Sequence, residues 1–494
     1  MTKMISLEEA RKLVLSRVMP LEAETVDLLD AAGRVAAADL KSDIDVSPFA
    51  HAAMDGYAVR RCDLAGATAE SPITLEVIDE VPAGGVFEGT PQAGQCVRIM
   101  TGAALPGCFD AVVKYEIVSM VEGDGKPGGR VAFSAQPKER DNVREAGEEA
   151  RAGEIVVNKG EVITTAGVGF LAGCGVLRVP VYRKPRVAII PIGSELVPPS
   201  ENPGPGHIRN SNSYALAACA KAAGCEADMF DIVPDDEAAL EAAVREAAAT
   251  HDFVVTSGGA SNGDFDFIKP VVERAGELLM TTVNMRPGKA QTFGIVDGTP
   301  VFGLPGNPAA AYMGFELIIR AGLLKMQGRT AFEHPTIVAK LTCDKKKKDP
   351  RRLFMRATLS HGESGELLVT PAKNQSSGLF GPIQKTNCMA VLPEGAQDAH
   401  AGDEIAACFW MSPKEPLSNS AGPGDNQPLD DVVGPARDEP SSDETTSSPL
   451  TQKSQTGITD SPIMLPDARR RPPWQHKARI HSTGYPTPSR KAIS

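Results

Sequence analysis

No run of the 494-residue sequence comes near the roughly 18 consecutive apolar residues that a membrane-spanning helix needs, so no membrane partner is expected and a cytoplasmic setting is. Cysteine pairing is also missing. The nine cysteines include no Cys-x-x-Cys and have no nearby histidine, which argues against a zinc site or a disulfide framework and for reduced, mostly buried thiols. Basic charge is scarce, with 51 Lys and Arg against 63 Asp and Glu and a formal net charge of -12. A dedicated nucleic-acid binder needs concentrated basic surface, so no nucleic-acid partner is expected, and any bound anion must be met by local groups. No Walker sequence is present, and "NPGPGHIRN" lacks the preceding strand of a dinucleotide fingerprint, so nucleotide hydrolysis of the P-loop kind is disfavoured.

What is present divides along the chain. Length alone suggests roughly three or four domains. The start, "MTKMISLEEARKLVLSRV", interrupts its apolar positions with charge and reads as an amphipathic helix, with Ser6 and Glu9 at the spacing of a capping box. Residues 413 to 494 hold 13 of the 39 prolines, a composition that predicts disorder. That tail also splits by charge. Its first part, to residue 450, is mainly acidic and the rest mainly basic with a "RRRPPW" cluster that could grip an anionic partner, but composition favours a solvated extension, to which no chemistry is assigned.

Between residues 185 and 326 short apolar runs alternate with helical patterns. "RVAIIPI", "EADMFDIV", "DFVVTS" and "PVFGLP" read as strands. "SNSYALAACAKAAG", closed by Gly224, and "DEAALEAAVREAAAT", with Leu240, Val244 and Ala247 on one face, read as helices. The alternation predicts a parallel sheet covered on both faces, with ligands outside the carboxyl ends of its strands. Three glycine-bearing loops should gather at that edge: "TSGGASNGDFDF", "NMRPGKAQTFG" and "GLPGNPAAA". Their amides, including those of Gly258 and Gly259, can approach an anion closely, Lys289 adds a mobile charge, and Arg286 adds a fork suited to oxyanions. Asp264 and Asp266 offer the oxygen ligands that magnesium shares with substrate phosphates. Each has a plainer alternative: Asp266 as a cap for the helix after it, Lys289 as a solvated loop lysine, and Glu195, Asp235 and Asp236 as acids suited to a helix's first turn.

Seven stretches in order, "SPFAHAAMDGYAVR", "RIMTGAALP", "VREAGEEARAG", "IPIGSEL", "TSGGASNGDFDF", "MRPGKAQTFG" and "GLPGNPAA", resemble the MoeA/gephyrin family of molybdopterin molybdenumtransferases across about residues 1 to 411. The resemblance implies an α/β and β multi-domain fold. Its parts would be an N-terminal helical and β region (1–45 and 142–184), an inserted β domain (46–141), a three-layer α/β molybdopterin-binding domain (185–326), a small C-terminal β-barrel-like domain (327–411) and a tail (412–494). The implied activity is magnesium-dependent insertion of molybdate into adenylylated molybdopterin, with release of AMP, by a homodimer. By motif position the resemblance assigns Asp55, Glu149, Glu195, Asp235, Asp266 and Lys289 to catalysis. It assigns Gly258, Gly259, Ser261, Arg286, Gly306, Asn307, Arg351, Arg356, Ser376 and Ser377 to substrate, and Asp264 and Asp266 to Mg2+.

The chain departs from the family pattern in places. Ala50, His51 and Ala52 precede "MDGYA" where Asp-Asn-Ser is usual, and Glu149 stands for Asp. Ala290 replaces a proline, and Ala310 replaces a serine whose hydroxyl could hold an oxyanion. Two other readings stay open here: a molybdopterin-binding protein without turnover, and a paralogue preferring tungstate. An enzyme that transfers a nucleotide to molybdopterin would use a similar α/β domain but lack the N-terminal and inserted domains.

Overall fold

The computed structural model describes residues 4–260, 267–395 and 397–409. The disorder expected of residues 412–494 falls outside these, as do Ser261, Asp264 and Asp266. Helix Leu7–Arg17 begins at the capping box, with the Glu9 amide donating to Ser6 Oγ and the Ser6 amide to Glu9 Oε2. Its buried face does not stay with the residues that follow it in sequence. Leu7, Ala10, Val14 and Val18 pack into the core of the α/β domain against Phe253, Phe315 and Leu323, where Gly322 leaves room for Val14.

The sheet of that domain has six strands in the order Glu226–Met229, Arg186–Pro191, Phe253–Ser257, Thr299–Leu304, Ala290–Val296 and Gly276–Thr282. The first four are parallel, as the alternation of strands and helices predicts. The last two pairings are antiparallel, so Ala290–Val296 runs against the others, which the all-parallel expectation missed. The reversal comes at Asp297-Gly298, where both residues have positive φ, the backbone of a two-residue hairpin turn. One face of the sheet is covered by helix Asn212–Ala222 and the helical run from Pro308 to Met326. The other is covered by helices Glu237–Thr250 and Ile268–Ala275, the former presenting Leu240, Val244 and Ala247.

The inserted region carries its own six-stranded sheet, centred on Gly56–Val59, Gln95–Ile99 and Ile73–Val81. Short strand pairs connect it back: His51–Ala52 with Val143–Arg144, Leu40–Lys41 with Ile155–Val157, and Ala23–Asp27 with Arg178–Tyr182. After the α/β domain, strands Thr336–Leu341, Arg352–His361, Leu367–Pro371, Cys388–Leu392 and Glu404–Phe409 close into a small barrel, because Arg352–His361 pairs with both Leu367–Pro371 and Cys388–Leu392. One pairing crosses between domains. Met285–Arg286, in the loop of the α/β domain, adds in parallel to Arg352–Leu353 of the barrel.

Candidate functional site

At the carboxyl edge of the parallel strands, Phe253–Ser257 runs into Gly258 and Gly259, and Thr299–Leu304 runs into Pro305, Gly306 and Asn307. The Gly258 amide donates to the Leu304 carbonyl at 3.1 Å, so the two loops are joined at their roots. Gly258 must be glycine: its φ is +93°, and a Cβ would sit 2.1 Å from the Ile192 carbonyl oxygen. Asn212 organises the same place. Its Nδ2 donates to Ser257 Oγ at 2.8 Å and to the Gly306 carbonyl at 2.9 Å.

Two clefts open here and share Ala260, Pro305 and Asn307. The first, about 610 Å³, is bordered by Glu195, Asn212, Gly258 and Gly306. The second, about 700 Å³, lies against the barrel and is bordered by Arg286, Lys289, Arg351, Arg356, Ser376 and Ser377. Both loops of its α/β wall are attached to the barrel. Arg286 belongs to the strand paired with Arg352–Leu353, and the Ala309 amide donates to the Ser377 carbonyl at 2.8 Å. Gln291 Nε2, donating to the Gly288 carbonyl at 2.7 Å, holds the turn before exposed Lys289.

The second cleft is strongly cationic for so acidic a chain. Eight Lys and Arg residues line it against one acid, Asp349, among the described residues. That acid is already committed. Arg351 Nε donates to Asp349 Oδ1 at 2.9 Å, its Nη2 reaches the other oxygen, and Arg286 Nη1 lies 3.3 Å away. The Arg351 hydrogen bond outweighs burial and holds Asp349 well below the usual carboxylate range. Arg356 is buried at 1% exposure; its Nη2 donates to the Ser376 carbonyl at 3.0 Å and its Nε has no partner. Burial pulls its pKa below the ordinary arginine value.

The other expected residues distribute differently. Asp55 is exposed on the inserted domain, and its Oδ1 accepts from the Thr101 hydroxyl and amide, both at 2.7 Å, which lowers its pKa. These bonds go to "MTGAA" rather than to the turn following Asp55. Glu149 is exposed in the neighbouring connection, its amide donating to the Val46 carbonyl at 3.1 Å. Neither borders either cleft in this chain. Asp236 caps helix Glu237–Thr250 by accepting from the Ala239 amide at 2.8 Å. Asp235 instead accepts from the Ser194 amide at 3.0 Å, while its own amide donates to Ser194 Oγ, so it steadies the loop that carries Glu195. Glu195 precedes the short strand Leu196–Val197, not a helix, so the first-turn alternative does not apply to it.

Ser261, Asp264 and Asp266 lie outside the described residues. Beside them in sequence, the Phe267 amide donates to the Gly259 carbonyl at 2.9 Å, and Phe267 stands at the cap position of helix Ile268–Ala275. Among the described residues no group of three or more His, Cys, Asp or Glu could hold a metal ion. Sequence reasoning passed over Asn212 and the lysines 345 to 348. The first gives no local signal, whereas "DKKKKD" is a visible charge run whose inward placement depends on the barrel.

Comparison with known proteins gives a consistent picture. Residues 5–175 match the MoeA N-terminal region (domain I and II), 188–325 a probable molybdopterin binding domain, and 338–410 the MoeA C-terminal region (domain IV). A molybdopterin molybdenumtransferase of Staphylococcus epidermidis is 36% identical over 403 residues, covering 81% of this chain and 94% of that protein. One of Bacillus subtilis is 37% identical over 402 residues, covering 81% and 93%. The crystal structure of a molybdopterin biosynthesis MoeA protein from Pyrococcus horikoshii is similar with a TM-score of 0.70 and 32% identity, over 83% of this chain and all of that one.

Proposed function

From the premise that this chain belongs to the MoeA family and is a molybdopterin molybdenumtransferase of molybdenum cofactor biosynthesis, we propose that it inserts molybdate into adenylylated molybdopterin and releases AMP. The observation that supports this most is the second cleft, with eight cationic residues and one committed acid among the described residues, adjoining the first cleft built on glycine loops. Both substrates are anions, so bringing them together needs fixed donors that offset their repulsion. Atoms balance without a further reactant. The two dithiolene sulfurs bond to molybdenum while their two protons and one molybdate oxygen leave as water, and cleavage of the phosphoanhydride consumes one water to give AMP.

In this reading the amides around Gly258, Gly259 and Gly306, with Asn307, hold the organic substrate. Lys289 and Arg286, with Arg351, Arg356, Ser376 and Ser377, hold the oxyanion and the adenylyl phosphate. Asp264 and Asp266 would hold Mg2+, directly or through water. Such an ion, when bound, supplies charge neutralisation at the phosphoanhydride.

Asp55 and Glu149 border neither cleft of their own chain. We propose that they complete the cleft of a second copy in a homodimer, where Asp55 acts in trans. A mixture of Asp55→Ala and Asp266→Ala subunits tests this. Random pairing makes about half the dimers mixed, each with one intact site, so activity should recover to about a quarter of wild type. Exchange of subunits without recovery would refute the shared site.

The transfer itself is tested by incubating the protein with adenylylated molybdopterin, magnesium and either molybdate or tungstate, and measuring AMP and metal-loaded cofactor. The second reading, binding without turnover, has a specific observation in its favour: Ala290 and Ala310, which replace the family's proline and serine, both line the second cleft. Absence of oxyanion-dependent AMP release under every condition would favour it and sink the transfer reading.

A further inference from the structure

We propose that Lys346 and Lys348 form a cationic rim that recognises a doubly charged oxyanion as it enters the second cleft; this rests on the transfer reading of that cleft. The run 345 to 348 is fixed to the barrel at alternate residues. The Lys345 amide donates to the Ala399 carbonyl at 2.7 Å, and the Ala399 amide returns the bond at 3.0 Å. The Lys347 amide donates to Asp398 Oδ1 at 2.7 Å, and its buried ammonium donates to the Pro393 carbonyl at 2.6 Å and to the Gly395 carbonyl. Burial of Lys347 separates it from its neighbours Lys346 and Lys348. Both are exposed, both border the cleft, and neither forms an ion pair among the described residues.

Their charge is uncompensated for a structural reason. The one acid bordering the same cleft, Asp349, is held by Arg351 and Arg286, and Asp344 at the start of the run faces away, accepting from the Ala401 amide and pairing with His400. Lys348 also borders the adjoining mouth formed with Met4, Arg286 and Pro350, so an anion coming from solvent meets it before Arg356. Exposed lysines at a mouth act by long-range attraction, which raises local anion concentration and is screened by salt. Lys347 does not share this role, since its donors are spent on carbonyls.

The shared chemistry is a divalent oxyanion, and its source is either free molybdate or the phosphates of adenylylated molybdopterin. The test uses the full chain with Lys346→Gln/Lys348→Gln, a charge-preserving Lys346→Arg/Lys348→Arg variant, and Lys340→Gln as an exposed control on strand Thr336–Leu341, outside the cleft. The double glutamine variant should raise KM for one of the two anions by about three- to tenfold at low ionic strength, with kcat within about twofold, and the difference should shrink toward unity near 0.5 M salt. Which KM moves identifies the source. The arginine variant should restore it, and Lys340→Gln should leave both KM values alone. Equilibrium dialysis with labelled molybdate and with adenylylated molybdopterin reads the rim independently of turnover, so absence of AMP release would not obscure the result. Unchanged KM and unchanged binding for both anions would overturn the proposal, as would a loss confined to kcat.

Discussion

Replacing Arg356 with methionine is expected to stabilise the unliganded chain while removing its activity. Arg356 is 1% exposed within strand Arg352–His361, has one guanidinium hydrogen bond, and has a buried Nε without a partner. Burial acts on its charge with no acid opposing it among the described residues. Desolvating a cation costs several kcal/mol even after relaxation. A hydrogen bond to a charged group returns about 1.5–3 kcal/mol. Methionine fills similar length without charge, so the exchange should gain about 1–4 kcal/mol, the range seen when buried ionic groups give way to apolar ones. For a domain of 60–100 residues that corresponds to a Tm increase of about 5 °C or more. The same change removes a donor from the cleft, which should lower AMP release about a hundredfold, equivalent to roughly 3 kcal/mol. Calorimetry of the full chain, with and without molybdate, checks both parts: the anion should raise the wild-type Tm and leave Arg356→Met unmoved. A lower Tm for Arg356→Met without ligand would refute the argument that this charge is held at a cost for the sake of binding.

Gly258→Ala should destabilise by about 2–4 kcal/mol, since it adds a left-handed backbone cost to a clash with the Ile192 carbonyl, whereas Gly306→Ala, whose Cβ meets Gly258 Cα at 3.7 Å, should stay within about 1 kcal/mol; equal denaturation midpoints would contradict this. Lys289→Ala and Asp266→Asn should each lower turnover at least about tenfold, because a lost charged partner at a reacting phosphate costs roughly 2 kcal/mol, and wild-type rates would mean these loops serve structure alone. Burial opposes ionisation of Asp252, but hydrogen bonds from Arg183 and the Arg186 amide outweigh it and lower its pKa. Its contribution to stability is therefore present above the ordinary aspartate range and lost as pH falls through the folded pKa, so Asp252→Asn should destabilise more at pH 7 than at pH 3 by urea denaturation. On composition alone, ending the chain after Met411 should leave Tm and AMP release unchanged, and a large fall in either would overturn that reading.

Much of the α/β domain was legible because its signals are local. The capping box at Ser6, the apolar face of Glu237–Thr250 and the branched runs Arg186–Pro191 and Phe253–Ser257 depend on spacing within a few residues. The four parallel strands follow from the alternation, which is why the glycine loops at their carboxyl ends could be placed at one edge from sequence. The Asp297-Gly298 hairpin was equally local, and its turn dipeptide was the available signal.

The rest is set by contacts between distant residues, which spacing cannot express. Helix Leu7–Arg17 packs on the α/β core because its apolar face meets Phe315 and Leu323, some three hundred residues later. Met285–Arg286 joins the barrel as an added strand, so Arg286 faces Asp349 and the loop before Lys289 becomes one wall of a cleft. Arg356 is assigned to substrate by resemblance alone, and its burial comes only with closure of the barrel. The lysine run carries no local sign of which side chain is buried; in the barrel Lys347 is, while Lys346 and Lys348 border the cleft. Sequence by itself determined which segments form strands, helices and anion-binding loops, because those depend on near-neighbour periodicity and backbone freedom. The tertiary structure decided which charges share a cleft, because that depends on how separately folded sheets are joined.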